Sequence, residues 1–274
     1  MRQDIATETA YTLPARVRSY EVSRNGTVGI GTILRYLEFL ATEASSALDY
    51  PHEWYAAHRS AWLVREMRVL LGDLPGIGAE LRLGTWLSEW RKVQAFREYA
   101  VWRPETGRLV ARGRARWAYV DLARGLPQRV PDEMVARFSP LGPPMRPSSW
   151  SPAEPSADLA VDGKIADLRL TAREVEADVN QHINNCVYAD WLTEALTAAL
   201  ATSAVIPSGF TARPREYRLE YLRPTLPGEQ VRVETLLARQ GTRALIAQQR
   251  VLHEASGTPL LRALSRHLLL RPPV

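Results

Sequence analysis

Cysteine is almost missing from this chain: Cys186 stands alone among 274 residues. That excludes an intrachain disulfide and any thiolate metal cluster. Lysine is nearly as rare, with Lys92 and Lys164 set against 33 arginines, a bias that points to GC-rich coding. No apolar run approaches the roughly 20 residues of a membrane span, and the opening Met1–Glu8 is polar where a secretory leader would carry its hydrophobic core. No recognised nucleic-acid motif accompanies the net charge of +5. These absences lead to the expectation of a cytoplasmic chain with no metal or cofactor. The basic excess suits an acidic protein partner or an anionic substrate. What is present, 46% hydrophobic and 24% charged residues, is the balance of a globular protein. At this length the chain can form one large domain or two small ones.

The densest chemistry lies in residues 173–195. Asp178, Asn180, His182, Asn184 and Asn185 fall within eight residues, directly ahead of Val187, Trp191, Leu192, Ala195, Leu196, Ala199 and Leu200. The apolar set recurs at three and four, so it forms one face of a helix. Polar side chains and unpaired backbone N–H groups thus converge at a helix N-terminus, where negative charge is stabilised. Asn and Asp also favour caps and turns for purely local reasons. Five such groups exceed what one cap can use. The set as a whole is therefore expected to carry chemistry beyond capping. On an extended segment, Asn180 and His182 would point to the same side.

Along the chain, residues 1–14 read as an arm, 16–23 as a strand and Ile30–Ala47 as a helix. Strands are expected near 62–71, 79–90, 93–102 and 109–121. Pro140, Pro143, Pro144, Pro147, Pro152 and Pro155 mark a linker. After it the order repeats, with a strand near 168–175, a helix over 185–201 and strands near 214–223, 230–239, 243–253 and 260–270. Adding 152 to each number of the first half lays Tyr36–Leu40 on Tyr188–Leu192, Leu74-Pro75-Gly76 on Leu226-Pro227-Gly228, Leu109 on Leu261 and Arg114 on Arg266. A shared offset over separated segments argues for tandem duplication. On that offset Asp178 falls on Gly26, Asn180 on Val28, His182 on Ile30, Asn184 on Thr32 and Glu220 on Arg68, so the first copy would hold none of the polar set. The expected organisation is an N-terminal unit at 1–138, a linker at 139–165 and a catalytic C-terminal unit at 166–274.

A strand, a long central helix and a curling antiparallel sheet, occurring twice, resemble a tandem hot-dog fold, α+β in class. Asp178-Val-Asn-Gln-His-Ile-Asn-Asn185, followed by Tyr188 and Trp191, resembles the signature of plant-type acyl-ACP thioesterases and their bacterial relatives. Arg18-Ser-Tyr-Glu21, Trp62–Met67, Thr106–Leu109 and Leu219-Glu-Tyr221 resemble further parts of that family. The resemblance implies hydrolysis of fatty acyl-ACP to free fatty acid, at one site per chain in the second unit, with the first unit holding the acyl chain. It implies acyl carrier protein, bearing a phosphopantetheine-linked acyl chain, as partner to a monomer or homodimer. It gives catalytic roles to Asp178, Asn180 and His182. The plant family's Glu-Cys pair is replaced here by Pro224 and Thr225. Glu220, four residues earlier, is the candidate substitute, on the assumption that a regular strand would give it the face of position 224.

Chemically, a thioester departs as a thiolate and needs little protonation, so the demands are an activated nucleophile and a stabilised oxyanion. Asp178 would activate water or attack directly, with backbone N–H groups at the second helix binding the oxyanion. Cys186 reads as buried filler. Arg112, Arg114 and Arg116 alternate with Gly113, Ala115 and Trp117, which gives either an ordinary solvated sheet face or a docking patch for an acidic carrier. An acyl-CoA thioesterase, or one acting on hydroxylated or keto chains, a non-catalytic acyl-binding protein and a hot-dog dehydratase are the competing readings.

Overall fold

The apolar period between residues 30 and 44 produces the first long helix. Ile30, Ile33, Leu34, Leu37, Leu40 and Ala44 recur at three and four, and all are buried along α1 (Ile30–Ser46). Burying each Leu or Ile in this way contributes about 1.5–3 kcal/mol. Around α1 lie β1 (Tyr11–Arg16), α2 (His52–Ala57), β2 (Ser60–Leu71), β3 (Glu80–Arg91), β4 (Gln94–Trp102), β5 (Leu109–Asp121), β6 (Leu126–Pro127) and α3 (Asp132–Arg137). The rest of the chain supplies β7 (Ala160–Val161), β8 (Ala166–Thr171), α4 (Val187–Thr202), β9 (Thr211–Tyr221), β10 (Gln230–Gln240), β11 (Ala244–His253) and β12 (Pro259–Leu270). This computed structural model describes residues 10–139, 141–144, 160–161, 166–206 and 210–271. Among them no helix is long and apolar enough to cross a membrane.

The chain divides into two compact units, Met1–Pro147 and Ser148–Val274. In the first, antiparallel strands run in the order β1-β3-β4-β5-β2, with β6 beside β5. In the second the order is β8-β10-β11-β12-β9, with β7 also on β10. In each unit one long helix packs on that unit's own sheet, α1 on β3 and α4 on β10. Gly113 on β5 leaves room for the Leu37 side chain of α1: a Cβ there would stand 2.9 Å from Leu37 Cδ1. In the second unit the buried Gln249 amide on β11 donates to the Leu192 carbonyl of α4 at 2.9 Å and to Thr235 Oγ1 at 3.0 Å. That tie satisfies an amide which would otherwise be buried unpaired.

Several sequence expectations shift. The first strand runs over Tyr11–Arg16, mostly within the expected arm at 1–14, and the strand expected at 16–23 does not form, because the Arg18 guanidinium and backbone N–H both bond Glu21 and close a short 3-10 turn over Ser19–Glu21. Arg173 and Glu176 do the same over Glu174–Glu176, so the strand expected at 168–175 stops at Thr171. Pro14 is tolerated in β1 because that strand is an edge, and Pro214 in β9 because it sits at a bulge of β9 itself, where Arg215 is the extra residue opposite Arg266 and His267. Most of the proline-rich segment, including Pro140, Pro147, Pro152 and Pro155, lies outside the described residues. Its start belongs to the first unit: Gly142 N–H bonds Leu87 O, and Trp86 Nε1 donates to Pro143 O at 2.8 Å.

The two units share a hydrogen-bond pattern, which fixes their true register. Val17 exchanges bonds with Gly78 and Ala79, as Ala172 does with Gly228 and Glu229. Val22 bridges Val28 as Ala177 bridges Ile183. Val28 N–H bonds Pro75 O at 3.0 Å, and Ile183 N–H bonds Thr225 O at 2.9 Å. Gly72 pairs with Val110 as Leu222 does with Leu260. Before and within the helices equivalent residues are therefore 155 apart, and from the second strand onward 150 apart. The expected single offset of 152 is incorrect. The five-position change falls between helix and second strand, where the first unit carries α2.

Candidate active site

In the second unit the chain leaves the 3-10 turn and makes a tight loop over residues 178–182 before α4. Asp178 N–H bonds His182 O at 2.8 Å and Gln181 N–H bonds Asp178 O at 3.0 Å, with Gln181 at φ 63°. The segment is therefore a turn, and the expected extended run through Asn180 and His182 is not formed. Asp178 Oδ1 accepts the Asn180 N–H at 2.8 Å, an Asx turn that fixes the carboxylate. Asn180 is exposed, and Asp178 and His182 are half-buried.

The register of 155 places Ser23, Asn25 and Thr27 on Asp178, Asn180 and His182, with Gly26 at φ 77° on Gln181. The first copy thus retains polar groups, contrary to the expectation drawn from the offset of 152. It keeps them closed on themselves. Asn25 Oδ1 accepts from Ser23 Oγ at 2.9 Å, Thr27 N at 3.0 Å and Thr27 Oγ1 at 2.9 Å. Asn180 and His182, in contrast, make no side-chain hydrogen bond to another described residue.

Beneath the second loop lies the turn that follows β9. Thr225 is fully buried; its carbonyl accepts the Ile183 N–H, and its hydroxyl accepts from Tyr188 at 2.7 Å. Burial pushes the Tyr188 phenol up to about 12, so it stays a donor. Tyr221 OH donates to Asn185 O at 3.2 Å and its ring meets Tyr188 edge-on. Glu176 helps fix the near end of the loop. Burial pushes its pKa up, yet bonds from Arg173 and Trp191 outweigh that and hold it below the ordinary carboxylate value. Tyr36 OH holds Glu21 in the equivalent place in the first unit, at 2.7 Å.

Glu220 is not brought to this loop. Its neighbours Leu219 and Tyr221 face the helix, so strand alternation turns Glu220 to the opposite face, where it meets Arg262 at 3.7 Å. β9 ends at Tyr221, and position 224 lies in the following turn, so the two share no strand face. Three of the backbone N–H groups at the start of α4, where an oxyanion was expected to bind, are also engaged. Cys186 N–H bonds Asn184 Oδ1 at 2.8 Å, Val187 N–H bonds Asn184 O and Ala189 N–H bonds Cys186 O. Asn184 is thus the capping side chain, and Cys186 is buried. The arginine row on β5 is paired within its own sheet: Arg114 with Glu89 and Glu98, at 3.4 and 3.5 Å, and Arg116 with Glu66 at 3.6 Å.

The family model for the acyl-ACP thioesterase N-terminal domain matches residues 8–138, and that for the thioesterase-like superfamily matches residues 173–271. The match places residues 8–138 in the acyl-ACP thioesterase family. The chain is 26% identical over 192 residues to an oleoyl-acyl carrier protein thioesterase of Arabidopsis thaliana, covering 66% of this chain and 52% of that one. Against a palmitoyl-acyl carrier protein thioesterase of Gossypium hirsutum it is 26% identical over 214 residues, 74% of this chain and 50% of that one. The chain thus spans about half the length of the curated relatives it matches. A putative oleoyl thioesterase structure from Lactobacillus plantarum superposes with a TM-score of 0.81 at 16% identity, covering 96% of this chain and 97% of that one. The 12:0-ACP thioesterase of Umbellularia californica gives 0.76 at 17% identity, covering 96% and 95%. The fold is the tandem hot-dog of this family.

Proposed function

We propose that this protein hydrolyses fatty acyl-ACP to free fatty acid and holo-ACP, at one site per chain formed by Asp178, Asn180 and His182. One observation carries the reading. Of two equivalent loops ahead of two equivalent helices, the first binds up its own polar side chains, and the second presents a fixed carboxylate beside two unengaged polar groups. Family membership supplies the thioester, and the relatives' names supply the carrier-linked fatty acyl chain.

In this reading Asp178, oriented through Oδ1, takes a proton from water as the water oxygen adds to the acyl carbon. With the Cys186 and Val187 N–H groups engaged by Asn184, the Asn180 amide and the His182 ring N–H stabilise the oxyanion; one such donor contributes about 3–4 kcal/mol in the transition state. Collapse expels the phosphopantetheine thiolate, which takes the proton back from Asp178. Thr225 and Tyr188 hold the floor of the loop and stand outside the chemistry. The N-terminal unit holds the acyl chain.

Purified protein assayed against acyl-ACPs and matched acyl-CoAs, with free acid and thiol both measured, tests this. Equimolar release of acid and thiol from acyl-ACP, abolished by Asp178→Asn, is expected. Full turnover by that variant would refute the assignment.

A further inference from the structure

Arg97 on β4 is 8% exposed, and its recorded hydrogen bond is a long one, Nη1 to Thr85 Oγ1 at 3.4 Å. A guanidinium offers five donors and stays charged, so burial without a carboxylate is costly. Burial lowers its pKa, and the nearest groups acting on its charge are the phenols of Tyr99 and Tyr55. The ring of Phe138 lies 5.8 Å away.

Strand register shows what shares its face. Arg97 pairs with Leu87 and Ala115, and the adjacent row runs Trp90, Ala95, Trp117 and Val64. Tyr99, on the same face of β4, packs with Leu37 of α1 over Gly113, so this is the face turned toward the helix. Trp90 Nε1 and Trp117 Nε1 are both buried without a hydrogen-bond partner. Three donor side chains therefore share one patch with unmet capacity. Around it stands an aromatic cluster of Tyr50, Trp54, Tyr55, Trp62, Tyr119 and Phe138. A cleft of about 590 Å³, walled by Trp90, Val93, Val130 and Val135 and by the charged Lys92, Arg129 and Asp132, shares Trp90, Val130 and Val135 with the cluster. The equivalent of Arg97 in the second unit is Ala247, fully buried, so the fold itself does not require a cation here.

We infer that the interior of the N-terminal unit takes an acyl chain that carries an oxygen away from its thioester end, as an oxo, hydroxy or carboxylate group, and that Arg97, Trp90 and Trp117 bind that oxygen. An unsubstituted chain would fill the aromatic cluster and leave all three donors unmet. An oxygen acceptor supplies what the patch lacks, and a carboxylate also neutralises the guanidinium. This rests on the acyl-binding role proposed above for the first unit, and it narrows the substrate class.

Binding is read by quenching of tryptophan fluorescence in the full-length protein, apart from catalysis. The probes are N-methylamides, whose thioester end carries no charge, each named by its acid: dodecanoate, 12-hydroxydodecanoate, an oxododecanoate and, as the mono-amide, dodecanedioate. The wild type should bind at least one oxygenated probe ten-fold or more tightly than dodecanoate. Arg97→Met should lose that preference and bind dodecanoate as before. A wild type that treats all probes alike, or an Arg97→Met protein that keeps the preference, overturns the inference. Should Arg97→Met fail to fold, the wild-type ranking decides. Preference in binding with no hydrolysis of any acyl-ACP would leave this inference standing and remove the thioesterase reading; hydrolysis without preference would do the reverse.

Discussion

The loops 23–27 and 178–182 are the same piece of backbone used in two ways. Each opens with an N–H bonded to the carbonyl four residues on, and each turns through a left-handed residue, Gly26 or Gln181. Each closes on a bridge to the residue ahead of it, Val22–Val28 and Ala177–Ile183. In the first, a serine, an asparagine and a threonine bond one another and the loop is saturated. In the second, replacing serine by Asp178 leaves an acceptor fixed by one backbone N–H, and replacing threonine by His182 removes the hydroxyl that would have engaged the asparagine. The lesson is that a loop becomes chemically available by losing internal partners as much as by gaining reactive groups.

The largest effect should come from the carboxylate. Asp178→Asn is expected to lower kcat for acyl-ACP hydrolysis by about 10³-fold, within the range for a general base, while Ser23→Ala leaves kcat unchanged. Equal losses in steady-state assays would erase the distinction between the loops. The asparagines come next. Asn180→Ala should lower kcat by about 10²–10³-fold with little change in Tm, whereas Asn25→Ala should keep kcat and cost about 1 kcal/mol in urea unfolding.

A third contrast is buried in the sheets, where His267 occupies the place of Trp117. Burial lowers the His267 pKa to about 4, and Ser265 Oγ at 2.9 Å is its recorded hydrogen-bond partner. The unfolded chain takes up this proton near pH 6.5 and the folded one only near 4. The stabilisation is complete above pH 6.5 and is lost as pH falls toward 4, by about 3 kcal/mol in all. Urea midpoints across that range should show the loss in the wild type and a smaller one in His267→Gln. Thr225→Val, set against the Pro75 of the first unit, should strand the buried Tyr188 hydroxyl at a cost of about 1–3 kcal/mol. Smallest of all, Glu220→Gln should change kcat less than two-fold.

Much of this was legible beforehand. The three-and-four spacing of apolar residues located α1 and α4 within two residues, because burial of one stripe dictates that period. The Asp/Asn/His cluster was visible since so many short polar side chains ahead of a helix exceed what a cap can use. The duplication was visible too, but its register was not. A gap-free comparison settled on 152, between the true values of 155 and 150, since sequence carries no mark of the α2 insertion. The surroundings of Glu220 cannot be read from the sequence, because the end of β9 depends on its pairing with β12. Nothing in the sequence sets Arg97 apart from the other arginines, of which there are 33 in all.

By itself the sequence determined that two helix-and-sheet units would form and that the polar set would precede the second helix, because side-chain period and composition act locally along the chain. Only tertiary structure decided which polar groups bond one another, which face Glu220 takes and that Arg97 is buried beside unmet donors. Those outcomes depend on strands distant in sequence meeting in one register, and a shift of a single residue would turn each side chain to the other face.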